Sequence, residues 1–220
     1  MKKYGAIFDL DGTIVDDDFI YGNAFSQVLK KLGAKNVPDI PHTGGIGIDE
    51  NWPILFDKYK ITTQHSIEDL SALVTDYFLA HVKLARIKRG FISFAHDLGE
   101  SDFAIALATS TTWSIADALI STLDLQGVFE SITTGEEVGN KKPSPEIFNL
   151  AADKISVPAK QCVVFEDSAA GVEAGLSAGM MVVGVYKDEI RKEALSGAHK
   201  LIHDFDLISV EEVLALFSDK

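Results

Sequence analysis

A single cysteine in 220 residues excludes an internal disulfide framework, and Cys162 sits inside an apolar run, where core packing is its expected role. No apolar stretch reaches the length of a membrane span, and no charged-then-apolar leader with a cleavage site opens the chain, so a cytoplasmic protein is expected. Positive charge is scarce: 20 Lys and Arg stand against 33 Asp and Glu, a formal net charge of −13, and no basic stripe interrupts the acidity. Such a chain repels nucleic acid and anionic membranes, so neither is an expected partner. Repeats and low-complexity tracts are also missing, which excludes solenoids and repeat arrays. What is left, with 46% apolar residues, is an ordinary globular chain long enough for one sizeable domain and an insertion. The acidity has a corollary. An anionic substrate would need local lysines or metal ions.

Among what is there, the block Phe8-Asp9-Leu10-Asp11-Gly12-Thr13 stands out. An apolar, uncharged run over residues 4–8 predicts a buried strand that stops on two aspartates spaced two apart. Carboxylates at the end of a central strand are costly unless something neutralises them. A nucleophile and a metal site would use that position, although Asp-Gly is also a common turn pair.

Further strands are expected at residues 103–108, near 131–133, at 162–165 and at 181–185, alternating with helices at 90–98, 113–123, 144–154 and 168–178 and two later helical stretches. That rhythm predicts an α/β fold, a Rossmann-like parallel sheet with helices on both faces. Its chemistry would collect at the carboxyl ends of the strands. Residues 16–86 break the rhythm. Helices are expected there at 19–32, 49–59 and 66–86, with Phe25, Val28, Leu29 and Leu32 at helical spacing. The expected division is therefore a core of residues 1–15 and 87–220 with an inserted helical cap over 16–86, placed where a lid would exclude water.

Three more signals fall at strand ends. Thr109 and Ser110 precede a helix, where hydroxyls and free amides suit a phosphate oxygen and equally suit simple capping. Lys142-Pro143-Ser144-Pro145 opens the next helix, with Ser144 as the expected N-cap and Pro143 holding Lys142 extended. Glu166-Asp167-Ser168 ends a third apolar strand. Acidic groups gathered within about 4 Å repel by ~4 kcal/mol per pair at an effective dielectric near 20, so the cluster needs protons or a cation. Oxygen ligands alone favour a hard ion such as Mg²⁺, which leaves coordination positions for phosphate. Together these parts describe phosphoryl transfer through an aspartyl-phosphate.

The ordered set Asp9-Leu10-Asp11-Gly12-Thr13, Thr109-Ser110, Lys142-Pro143 and Glu166-Asp167-Ser168 resembles the haloacid dehalogenase superfamily, and within it the branch with a helical cap after the first strand. The resemblance covers nearly the whole chain. It implies Asp9 as nucleophile and metal ligand. It implies Asp11 as general acid and base, with its backbone carbonyl on the metal. Ser110, beside Thr109, would bind the transferring phosphoryl group, and Lys142 would bridge that group and Asp9. Asp167 would complete the Mg²⁺ shell, with Glu166 beside it directly or through water. The segment Thr43-Gly44-Gly45-Ile46-Gly47-Ile48 is similar to the family's cap loop, which makes Gly45 a substrate-binding candidate.

The implied activity is a Mg²⁺-dependent phosphatase acting on a small phosphorylated metabolite, of the sugar phosphate or phosphoglycolate class. A phosphomutase of the β-phosphoglucomutase kind is the first alternative. That branch carries a histidine ten residues after the second aspartate, where this chain has Tyr21. A non-catalytic binding or regulatory protein on the same fold is the second. Trp52 is expected in the core of the cap, and the six histidines show no ligand spacing.

Overall fold

The computed structural model describes residues 2–218. A six-stranded, wholly parallel sheet forms the centre. Its strands are β1 (Tyr4–Phe8), β4 (Phe103–Thr109), β5 (Ser131–Thr134), β6 (Cys162–Glu166), β7 (Met181–Val185) and β8 (Lys200–Ile202), ordered β5-β4-β1-β6-β7-β8. Strands β1, β4, β6 and β7 are buried on both faces almost throughout, which is why their sequences are continuous apolar runs without alternation.

Side chains still divide by parity. Phe8, Leu107, Phe165 and Val183 enter one core cluster, while Ile7, Ala106, Val164 and Val182 enter the other. The first is strongly aromatic: Phe8 stacks on Phe165 at 4.4 Å, and Phe91, Phe94 and Phe205 close around them. Helices α4 (Phe91–Glu100), α5 (Trp113–Thr122) and α9 (Val210–Ala215) cover that face. Helices α6 (Glu146–Lys154) and α7 (Ala169–Ser177) cover the opposite one. Cys162 is buried and free, its thiol pushed up to about 12 by burial, in keeping with a packing role.

Between β1 and α4 lie α1 (Asp18–Lys31), α2 (Ile48–Tyr59) and α3 (Ile67–His81), with α1 and α2 both packed on α3. Trp52 is fully buried among them, ringed by Phe25 and Phe56, and its indole N–H donates to Ser71 Oγ at 3.0 Å. The two chain crossings into this helical segment pair with each other. Strands β2 (Val15–Asp16) and β3 (Arg86–Ile87) form a two-stranded antiparallel ribbon.

Three local expectations change. The third helix of this segment ends at His81, not Arg86, and the chain passes through a 3₁₀ turn into β3. The N-cap of α6 is Pro145 rather than Ser144, with Lys142-Pro143 in the cis form just before it. The ribbon strands β2 and β3 and the sixth sheet strand β8 are not among the expected strands; β8 is an edge strand of three residues, built by pairing with β7.

Candidate active site

The order of the sheet explains why the acids meet. β1 lies at its centre, hydrogen-bonded to β4 on one side and to β6 on the other. The chain therefore leaves three neighbouring strands at the same edge: at Asp9–Thr13 after β1, at Thr109–Ser110 where β4 ends, and at Glu166–Asp167 where β6 ends. This is the crevice at a topological switch point. The Asp9 N–H still donates to Phe165 O at 3.0 Å, so the ladder holds until the first acid.

Lys142 is the centre of charge. Its side chain is fully buried, and Nζ donates to Asp9 Oδ1 at 2.7 Å and to Glu166 Oε1 at 2.6 Å. Burial opposes that ammonium charge, but Asp9 and Glu166 outweigh it, and the pKa lies above the ordinary lysine value. The second oxygen of Glu166 accepts from the backbone N–H and the hydroxyl of Ser168, at 2.8 and 2.9 Å. Glu166 is thus engaged at both oxygens by protein donors, whereas among the described residues Asp167 receives only long bonds of 3.4 Å from Thr13 Oγ1 and Arg191 Nη1.

Ligand oxygens of Asp9, Glu166 and Asp167 lie within 4.8 Å of one another, and all three side chains are buried. Burial raises Asp9 to about 7 and Asp167 well above the usual carboxylate range. Carboxylates this close, this dry and this resistant to ionising fit a divalent cation, whose charge removes the penalty. The cations at the cluster are already shared: Lys142 between Asp9 and Glu166, and Arg191 between Asp18 and Asp167. Gly12 completes the cradle. It has φ +81°, and a Cβ there would collide with the Asp167 carboxylate.

Asp11 faces another way. Its Oδ1 accepts from the Tyr21 hydroxyl at 3.1 Å and its Oδ2 from Thr109 Oγ1 at 3.1 Å, so its carboxylate stands outside the acidic triplet. Burial raises its pKa, and the two hydroxyl donors pull the other way. The Tyr21 oxygen also lies 3.0 Å from Thr111 Oγ1, so its proton has a second acceptor if Asp11 gains one. Thr109 is buried and occupied by Asp11, with the Thr111 N–H donating to its hydroxyl. Ser110 is half-buried and opens on the cleft, its Oγ donating to Gly45 O at 3.0 Å. Through that bond the loop 43–48 reaches the sheet edge. Gly45 has φ +80°, and a Cβ on it would strike Ser168.

Several residues of the site escaped the sequence reading. His42 lines the cleft between Tyr21 and Phe25. Arg191, from α8 (Glu189–Ala194), bridges Asp18 at 2.7 Å and Asp167 at 3.4 Å, and Lys187 holds Asp16 at 2.8 Å. Asp17, the N-cap residue of α1, is fully buried, its carboxyl held well above the usual range by burial and then by the neighbouring Asp11.

Residues 6–185 match the model of the haloacid dehalogenase-like hydrolase family. The chain belongs to that family. It is 32% identical to a phosphorylated carbohydrates phosphatase of Thermotoga maritima, over 94% of this chain and 98% of that protein. It is 30% identical to a fructose-1-phosphate phosphatase of Escherichia coli, over 82% and 95% of the two chains. A β-phosphoglucomutase structure from Clostridium difficile superposes with a TM-score of 0.87 at 22% identity, covering 99% of this chain and 98% of that one, a likeness of fold. The Rossmann-like parallel core and the hydrolase class expected from the sequence stand with these matches. Among the described residues, no helix is long and apolar enough to cross a membrane.

Proposed function

We propose that this family member is a Mg²⁺-dependent phosphatase of small phosphorylated metabolites, of the sugar phosphate class, working through an aspartyl-phosphate on Asp9. The observation that carries the reading is the shared Lys142 ammonium, 2.7 Å from Asp9 Oδ1 and 2.6 Å from Glu166 Oε1, beside an acidic triplet fit for a cation. Asp9 and Asp167 would hold the ion with the Asp11 backbone carbonyl, and Glu166 would act mainly by orienting Lys142. Bound there, Mg²⁺ supplies positive charge against the phosphoryl oxygens.

The chain's own groups account for the proton and bond changes. A carboxylate oxygen of Asp9 attacks phosphorus as the bond from phosphorus to the ester oxygen breaks. Protonated Asp11 gives its proton to the departing alkoxide, and its raised pKa suits that role. Ionised Asp11 then takes a proton from water, which attacks phosphorus and frees Asp9. Ser110 and the amides near it orient the phosphoryl group, and Lys142 offsets its charge. The helical segment 16–86 serves as the cap over these groups, and Gly45 lets its loop approach them.

Tyr21 favours hydrolysis over mutation of sugar phosphates. It occupies the position of the mutase histidine and binds Asp11, but a buried phenol whose pKa is raised well above its ordinary value is a poor acceptor for a sugar hydroxyl proton. Phosphate release from a panel of sugar phosphates, with and without Mg²⁺, tests the proposal. The expected result is Mg²⁺-dependent release that Asp9→Asn abolishes, with no glucose 6-phosphate formed from glucose 1-phosphate. Isomer formation without net phosphate release would replace this reading with the mutase one.

A further inference from the structure

The helical wall of the cleft is uneven in polarity. Phe25, Ile46 and Ile48 contribute apolar surface. Asn51 is polar but occupied: its Oδ1 accepts from the Thr43 N–H at 2.7 Å, and its Nδ2 donates to Thr43 O and Gly47 O. The Tyr21 hydroxyl is taken by Asp11 and Thr111. His42 differs. Its half-buried ring stacks on Phe25 at 5.3 Å and 16° and meets Tyr21 at 5.8 Å, yet it makes no hydrogen bond with any described residue, and its Nδ1 is buried. Packing fixes the ring while leaving its hydrogen-bonding capacity unused, and a buried polar group of that kind calls for a partner. Burial also lowers the imidazole pKa to about 4, so the ring is neutral near pH 7.

Charge in the cleft is equally selective. Among the described residues no Lys or Arg lines this part of it, while Asp9, Asp11 and Asp18 do. Lys142 is buried against Asp9 and Glu166, and Arg191 is engaged by Asp18 and Asp167. Within this lobe a second phosphate or a carboxylate would meet no cation; Lys141 lines the adjoining lobe, beyond Ser110 and Thr111. Hydroxyl groups face no such penalty.

We propose that the lobe around His42 is a leaving-group subsite for an uncharged, hydroxylated remainder, and that His42 determines its specificity by hydrogen-bonding a substrate hydroxyl. The inference rests on the phosphatase reading and narrows its substrates to monophosphate esters of neutral sugars or polyols. Bisphosphates and phosphoglycolate are disfavoured.

Initial rates of the full chain with Mg²⁺ test it, on hexose monophosphates, fructose 1,6-bisphosphate, 2-phosphoglycolate and p-nitrophenyl phosphate, whose leaving group carries no aliphatic hydroxyl. The best hexose monophosphate should exceed the bisphosphate and phosphoglycolate in kcat/KM by at least about tenfold. His42→Phe, which keeps the stack, should lower the ratio of kcat/KM for that monophosphate to kcat/KM for p-nitrophenyl phosphate by about tenfold, chiefly through KM, the loss of one neutral hydrogen bond. His42→Gln should recover part of that ratio. Equal rates on the bisphosphate or phosphoglycolate, or a His42→Phe effect that falls alike on both esters, would overturn the subsite. No phosphate from any ester, p-nitrophenyl phosphate included, would instead remove the phosphatase reading beneath it.

Discussion

Replacing Lys142 by methionine keeps most of the side-chain volume and removes one charge, and the consequence can be worked from two distances. At 2.7 Å to Asp9 and 2.6 Å to Glu166, each contact is worth about 6 kcal/mol at an effective dielectric near 20. Desolvating the ammonium takes back several kcal/mol, so the gross figure overstates the net one. Removing one partner from a buried ionic set leaves the others uncompensated, and the expected loss of stability is about 3–5 kcal/mol. Urea unfolding of the metal-free protein at pH 7.5, followed by circular dichroism, reads this as a lower midpoint at unchanged slope. Glu166→Gln in the same background should return part of the loss, because the Asp9 carboxylate then faces a neutral amide. A Lys142→Met cost below about 1 kcal/mol, or strict additivity of the two changes, would refute the shared-charge argument.

Three further outcomes are expected. Asp9 titrates at about 7 in the folded protein against an ordinary 3.8, and Asp11 and Asp167 are raised as well. The folded state therefore keeps a proton that the unfolded chain releases, and metal-free stability should fall between about pH 4 and pH 7, by up to about 4 kcal/mol for Asp9 alone. Urea midpoints across that range check it, Mg²⁺ should raise the midpoint at pH 7.5, and a rising metal-free slope would contradict it. Tyr21→Phe removes one of the two hydroxyl donors on Asp11 and should lower kcat about tenfold while moving the pH-rate profile, with stability and profile measured side by side. Gly45→Ala forces a side chain into φ +80° and against Ser168, and should raise KM as well as cost about 1–2 kcal/mol in unfolding experiments.

The interior strands were legible because burial on both faces leaves only one composition for them. The runs at residues 4–8 and 181–185 coincide with β1 and β7 residue for residue. β8 was not legible, since Lys200-Leu201-Ile202 has no alternation of its own and becomes a strand by binding the edge of β7. The same contrast runs through the site. Asp9, Asp11, Lys142, Glu166 and Asp167 stand at strand ends or helix starts, where an acid or lysine is out of keeping with its apolar neighbours. His42, Asp17 and Arg191 carry no such local sign. His42 is held by Phe25 and Tyr21 of α1, Asp17 is buried beside Asp11, and helix α8 carries Arg191 to Asp18 and Asp167, residues distant in the chain. The family resemblance implies Glu166 beside Asp167 in a Mg²⁺ shell, directly or through water; only the contacts with Lys142 and Ser168 reveal that both its oxygens are engaged by protein donors.

In the proposed mechanism Asp9 itself takes the phosphoryl group from the substrate. Rapid acid quench after mixing with a phosphorus-labelled sugar phosphate and Mg²⁺ tests it most directly. Label is expected on the peptide containing Asp9, released by hydroxylamine as an acyl phosphate is and absent in Asp9→Asn. Phosphate release by the Asp9→Asn protein at an undiminished rate, with no labelled enzyme at any quench time, would contradict it.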